Sequence, residues 1–336
     1  MERKAAPEMS VIESVDEAFT RLAEPFRDEL LAYCYRMLGS IHDAEDLTQE
    51  TMLRAWRSHD RYDPGRASMR TWLYRIATNV CLRALEQRRR RPLPSDLTPP
   101  AEGAMTPLDR AAETAWLQPV PDLLLRQPPD PAALAVQRDS LRLALIAALQ
   151  HLPARQRVVF ILREAMAWSA AEVAELLGTS TAAVNSALQR ARAQLAAAAP
   201  SHEDGAGPLD ERQRALVERY VRAFVSADLD SLSRLLHDDV TLEMPPYRTW
   251  FRGRAVIVRF METHLFATPG IWRVVPTAAN RGPAAATYLR DPHGAFLAHS
   301  IQVLTTTTSS AITAIVAFQD ATLFPLFGLP ATYAPQ

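Results

Sequence analysis

Ten of the chain's 25 prolines fall between Pro92 and Pro131. Each fixes φ near −65° and lacks an N–H, so this stretch cannot run as a continuous helix or a central strand. It divides the chain and reads as a linker over residues 92–137. Trp116 and the run Leu123-Leu124-Leu125 are apolar enough to dock against a partner surface, so the segment is not read as wholly disordered. At 336 residues, with 48% hydrophobic and 22% charged content, two or three globular domains are expected.

The part before the linker, residues 19–91, carries helical periodicity. Residues 1–18 read as a variable tail. Leu30, Leu31, Cys34, Met37 and Leu38 recur at helical spacing, and Gly39 is a stop signal. Ser40 can cap a second helix, with Asp43 in the first turn where the helix dipole favours a carboxylate. Leu47, Met52, Leu53, Ala55 and Trp56 are expected to form its buried side. Arg61 to Gly65 is turn chemistry, and a third helix is expected from Ser68 with Trp72, Leu73, Ile76, Ala77, Val80 and Leu85 inward. Cys34 and Cys81 form no CxxC pair and read as small core residues.

Charge is segregated within this part. Ser40 to Asp60 holds five acidic and two basic residues, and Arg61 to Arg91 holds nine arginines against Asp63 and Glu86. The chain as a whole carries −1. Such separation fits two partners, one basic and one polyanionic. Asp43, Asp46, Gln49 and Glu50 share one broad helical face. Arg75, Asn79 and Arg83 lie four apart on another helix, and Arg88, Arg89, Arg90 and Arg91 extend that cationic field toward phosphates.

After the linker, residues 138–199 read as a second helical domain. Leu141, Leu145, Ala148, Leu149 and Leu152 form one face, and Arg155–Ala165 is a second helix. Ser169 and Glu172 form a capping-box pair, Gly178 ends a short helix, and a longer helix follows over 180–195. This is the pattern of a helix-turn-helix. Thr179, Ser180 and Thr181 suit the cap and nearby phosphates. Val184 and Leu188 should face inward, leaving Asn185 and Gln189 for base edges and Arg190 and Arg192 for phosphates. Pro200 to Pro208 reads as a flexible joint. From 209 to 331 helical spacing gives way to strands expected at 240–244, 271–276, 284–289, 295–305 and 311–318, an α+β domain.

The string Asp43-Ala-Glu-Asp-Leu-Thr-Gln-Glu-Thr-Met-Leu-Arg-Ala-Trp56 with Arg70-Thr-Trp-Leu-Tyr-Arg-Ile-Ala-Thr-Asn-Val80 resembles region 2 of sigma-70 family transcription initiation factors, in the extracytoplasmic-function group. Leu152-Pro-Ala-Arg-Gln-Arg-Val-Val-Phe160 through Ala191-Arg-Ala-Gln-Leu195 resembles sigma region 4. Asp238–Pro246, Trp250–Arg254 and Phe324–Pro330 resemble a SnoaL-like, polyketide-cyclase-type cone fold. The resemblance implies two all-α sigma domains, a region 2 bundle and a region 4 helix-turn-helix, followed by a SnoaL-like α+β cone. It implies an RNA polymerase core partner, with the face of Asp43, Asp46, Gln49 and Glu50 on the clamp and region 4 on the flap. It implies promoter DNA at the −10 and −35 elements, with Arg61–Ser68 as the loop that captures a flipped base, and a linker threading the polymerase channel. The C-terminal domain is then an intramolecular regulator, and whether a separate anti-sigma protein also binds is left open. Where many members carry basic residues on both sides of Ser186, this chain has Asn185 and Ala187, so further contacts are expected to support −35 binding.

No metal cluster, phosphate loop or nucleophile constellation is legible, and no cofactor is expected. No apolar run approaches a membrane span, and Met1-Glu-Arg-Lys4 is not followed by a signal core, so a cytoplasmic, membrane-free protein is expected. The acid/base candidates in the cone are Asp239, Glu243, Tyr247, His264, His293 and His299. None forms a motif by spacing, and Asp291-Pro-His-Gly294 reads as a turn, so no enzymatic activity is expected. The rival readings are a DNA-binding regulator that works without polymerase, and a cyclase- or isomerase-type enzyme fused to a DNA-binding domain.

Overall fold

A computed structural model describes residues 19–87, 90–125, 139–198, 211–307 and 311–334. Its helices are, in chain order, α1 (Arg27–Leu38), α2 (Ile41–Arg57), α3 (Met69–Glu86), α4 (Leu143–Leu149), α5 (Ala154–Phe160), α6 (Ala170–Leu177), α7 (Thr181–Ala198), α8 (Glu211–Val225), α9 (Leu229–Leu235) and α10 (Arg254–Phe260). The chain forms two compact units that interleave in sequence. One takes residues 1–89 and 152–196, the other 90–151 and 197–336. This grouping cuts across the four-part division read from the sequence: α4 clusters with the C-terminal domain, apart from the helices that follow it.

The first unit is all helical. Gly39 ends α1 in the left-handed region at φ 66°, where a glycine is unstrained. Ser40 then caps α2 by accepting from the Asp43 N–H at 3.2 Å, and Ser68 caps α3 in the same way from Thr71 at 3.1 Å. The face that α2 buries differs from the expected one. Ile41, Ala44, Thr48, Thr51 and Ala55 are inside, whereas Leu53 and Trp56 are 38% and 42% exposed. The two threonines are tolerated there because each hydroxyl donates to the carbonyl four residues back, Thr48 to Ala44 and Thr51 to Leu47, both at 2.6 Å. Tyr33 and Tyr74 meet edge-on at 5.1 Å between centroids, and the Tyr33 hydroxyl bonds Thr78 at 2.8 Å. Cys34 and Cys81 are buried free thiols with sulfurs 3.7 Å apart. The hydrogen bond to Cys34 and burial push the Cys81 thiol well up, which keeps it unreactive.

The helices after residue 152 pack on this bundle through side chains. Trp168, 3% exposed, lies against Tyr74 at 5.2 Å, with the Arg70 guanidinium 5.4 Å from its ring. Arg157 is buried, donates to the carbonyls of Met37 and Leu152, and is brought down to about 10 by desolvation. Ser169 and Glu172 form the expected capping box at the start of α6, which ends at Gly178, φ 61°.

The second unit centres on a seven-stranded sheet: β1 (Leu236–Glu243), β2 (Trp250–Arg252), β3 (Trp272–Ala279), β4 (Gly282–Arg290), β5 (Phe296–Thr306), β6 (Ile312–Phe318) and β7 (Thr332–Tyr333). The order is β2-β1-β6-β5-β4-β3, with β7 paired to β5; β1 and β6 run parallel and the other pairs antiparallel. The five expected strands are present with shifted ends, while β2, β7 and α10 are additions. α8, α9 and α10 fill one face, where Leu216, Tyr220 and Phe224 pack with Trp272, Leu304 and Ile315. On another part of the sheet Tyr288 meets Phe324 and Tyr333 edge-on at 5.1 and 4.8 Å.

The proline-rich linker is docked on this domain, mainly through its own main chain, which meets both main-chain and side-chain groups of the domain. The Ala101 N–H donates to Trp250 O at 2.8 Å, Arg248 N–H to Asp109 O at 2.7 Å, and Ala111 N–H to Pro246 O at 2.9 Å. Ala104 joins the buried core of the domain. The β3–β4 hairpin turns at Asn280 and Arg281, both left-handed (φ 55° and 59°), as a two-residue turn requires. The Asn280 side chain accepts from Val120 N–H at 3.1 Å and donates to Leu141 O at 2.8 Å. Its backbone N–H returns to Val120 O at 2.8 Å, while Arg281 takes Asp122 Oδ1 at 2.7 Å and Leu125 O at 2.8 Å. Trp116 and Leu125 are buried as the sequence suggests, but Leu123 is exposed.

Candidate functional site

The outward face of α2 is acidic and apolar together. Asp46 and Gln49 are exposed, Asp43 and Glu50 half-buried, and Leu53 and Trp56 continue the same side of the helix. Glu50 pairs with Arg54 one turn on at 2.6 Å, leaving Asp46 and Gln49 as the most accessible polar groups of the set. A helix with its other side fully packed and large apolar residues left in water is a surface suited to a protein partner.

On α3, Asn79 and Arg83 are exposed and Arg75 is half-buried. Arg75 reaches Glu175 of α6 at 3.2 Å, an ion pair weak enough in water to exchange for a phosphate. Trp72 is half-exposed and tilted on Tyr62 at 5.2 Å, at the edge of the 61–68 loop; Tyr74 is core. Arg88 and Arg89 lie outside the described residues. Arg90 and Arg91 belong to the second unit and have protein partners. Arg90 binds Asp96 at 3.0 Å and His151 at 2.8 Å, and Arg91 donates to Trp116 O at 3.0 Å. His151 closes this knot on Asp96 at 2.9 Å. Arg90 and Arg91 thus tie the start of the linker to residues within the same unit.

Along α7, Val184, Leu188, Ala191 and Leu195 are buried, a spacing of three to four that leaves Asn185 and Gln189 exposed. Ser180 caps the helix by accepting from Ala183 N–H at 3.2 Å, between exposed Thr179 and Thr181. Arg190 donates to the Ser186 hydroxyl at 2.6 Å, and Arg192 pairs with Glu164 at 2.7 Å.

In the C-terminal domain the acid/base candidates have different surroundings, and Tyr247 is partly buried against the core. Asp239 is exposed opposite Arg252 at 3.6 Å, and His293 sits in the Asp291 turn, its N–H donating to Asp291 Oδ1. His264 stacks on Phe260, and His299 meets Trp272 edge-on, its basicity lowered by burial. Glu243 is buried but turned to the linker, where Ser95 N–H donates to it at 2.9 Å; burial raises its carboxyl above the ordinary range. Its neighbours Leu242 and Met244 lie in the apolar core.

This architecture defines a class of transcription initiation factor: residues 22–91 match the sigma-70 region 2 model, residues 142–195 the sigma-70 region 4 model, and residues 217–319 the SnoaL-like domain model. The chain is 47% identical over 316 residues to the ECF RNA polymerase sigma factor SigG of Mycobacterium tuberculosis, covering 93% of this chain and 84% of that one. It belongs to the extracytoplasmic-function RNA polymerase sigma factor family, whose members direct promoter-specific transcription initiation. SigJ of Mycobacterium tuberculosis is 32% identical over 244 residues, covering 71% of this chain and 70% of that one. The crystal structure of SigJ superposes with a TM-score of 0.62 at 27% identity, over 92% of this chain and 98% of that one. Among the described residues, no helix is long and apolar enough to cross a membrane.

Proposed function

We propose that the chain recruits RNA polymerase core, in the cytoplasm, through the outward face of α2, with Asp46 and Gln49 as the polar contacts and Leu53 and Trp56 as the apolar ones. The carrying observation is that exposed acidic-apolar face opposite a fully packed one. Asn79 and Arg83 then meet the opened −10 strand, joined by Arg75 once it exchanges Glu175 for phosphate. Asn185 and Gln189 read the −35 element, with Ser180, Thr179 and Thr181 near its phosphates. The cone domain works as a regulator with no catalysis of its own, a reading supported by Asp239 and His293 lying exposed and by Glu243 being turned to the linker.

The docked linker supports a sign for that regulation. A linker threading polymerase cannot also keep its hydrogen bonds to Trp250, Pro246 and Asn280, so docking opposes initiation until the linker is released. In vitro transcription with purified core polymerase and promoter fragments tests both statements. Changing Asp46 and Gln49 together to Ala should weaken core binding about tenfold, roughly 1.4 kcal/mol, with native far-UV dichroism. Unchanged affinity would remove the docking assignment. Asn280→Ala should raise promoter-specific starts at equal core affinity, and a fall in starts would make the domain an activator.

A further inference from the structure

A cavity of ≈ 310 Å³ opens in the second unit where the linker meets the cone domain. That volume lies at the lower end of the range for small-molecule sites. Its walls come from two stretches well over a hundred residues apart in sequence, the linker from Arg91 to Gln118 and the strand ends from Pro245 to Leu323. The backbone fixes it on both sides: Ala111 N–H donates to Pro246 O and Gln319 N–H to Pro245 O, each at 2.9 Å.

The lining chemistry is selective. Two arginines, Arg91 and Arg110, and one aspartate, Asp320, are the charged residues of the lining. Asp320 is engaged as a helix cap, with Oδ1 accepting from Thr322 N–H at 3.0 Å and from its hydroxyl at 2.6 Å. Arg91 is held on Trp116 O. Arg110 is exposed, and its side chain has no partner among the described residues. Trp116, Pro245 and Pro246 supply an apolar wall beside these cations.

We propose that this cavity is a binding site for a small organic carboxylate with an apolar body, its carboxylate taken by Arg110 and Arg91 and its body by the Trp116–Pro246 wall. A guanidinium offers the paired donors that a carboxylate accepts. Neutral ligands of the same shape lack the charge that the two cations outweighing one capped carboxylate would select. Because the ligand touches both linker and domain, occupancy stabilises the docked linker by mass action. Only that last consequence rests on the inhibitory reading of the linker given above.

Titration calorimetry on the full chain, with no polymerase present, tests the site separately from that reading. Benzoate is the probe and benzamide its neutral counterpart. Benzoate should bind at least tenfold more tightly than benzamide. Arg110→Gln should abolish that preference and Arg110→Lys keep part of it. Arg252→Gln, which removes an exposed arginine outside the cavity lining, should leave it intact. Equal binding of the two probes, no binding of benzoate, or benzoate binding indifferent to Arg110→Gln would each overturn the proposal. Far-UV dichroism of each variant establishes that the loss is local.

Discussion

The helices after residue 152 and the linker are both held against a larger body, by different means. In the first unit the holding groups are side chains: Trp168 on Tyr74 and Arg70, and Arg157 on the Met37 carbonyl. In the second unit they are largely main-chain groups of the linker, met by main-chain groups of the domain and by the side chains of Glu243, Thr249, Trp250, Asn280 and Arg281. Side-chain attachment concentrates the energy in a few residues and should fail when one is removed. Backbone attachment spreads it and should yield only where a side chain bonds the linker directly.

The largest test of that contrast is Trp168→Ala. Truncating a buried tryptophan costs about 3–5 kcal/mol, which should lower the urea midpoint of the first unit while far-UV dichroism keeps most of its helix. A shift of less than about 1 kcal/mol would show that this attachment, too, is distributed. Next comes Asn280→Ala, which removes two side-chain bonds to main chain and puts alanine at φ 55°, for about 2–4 kcal/mol in all. Asn280→Gly relieves the strain and keeps the bond loss, so the difference between the two variants separates the terms. Linker amide exchange near Val120 should quicken in both; quickening in neither would mean the backbone ladder alone suffices.

The smallest effect is at Glu243. Its folded-state carboxyl is raised, chiefly by burial, so the folded state favours the protonated form. Stability from this group is present below the ordinary value of 4.5 and is lost as pH rises through the raised folded value. Glu243→Gln should therefore match the native chain near pH 4 and melt about 2–4 °C higher at pH 7–8. His299 works in the other direction. Its lowered basicity costs stability as pH falls below 6.5, so the comparison is made between variant and native at each pH. A variant that melts lower at pH 8 would show that the carboxylate's bond from Ser95 outweighs its burial.

Much of this was legible in the residues, for local reasons. Ser40, Ser68, Gly39 and the Ser169–Glu172 box mark helix ends because capping is decided within four residues. The inward set Val184 and Leu188 followed from a period of 3.6. What escaped depends on distant partners. Leu53 and Trp56 read as core because they are large and apolar, whereas α2 buries threonines whose hydroxyls are satisfied within the helix. Arg90 and Arg91 read as phosphate contacts from their charge and position, and only the fold adds Asp96, His151 and Trp116 as partners within the chain. Linker docking left little trace, since main-chain donors and acceptors are the same in every sequence. The strands β2 and β7, three and two residues long, carry too little alternation to register.

The alternation of the two units along the chain has a consequence for the order of synthesis. A polypeptide leaving the ribosome from its N-terminus cannot finish the first unit until residue 196 has emerged, nor the second until the strands beyond residue 211 exist. The nascent helices α1 to α3 must wait with Tyr74 unpaired from Trp168, a period in which apolar surface is open to chaperones or to misassembly. Cutting the chain near residue 200 would not release a finished protein lacking one domain, because residues 90–125 and 139–151 would be left without the sheet of their own unit.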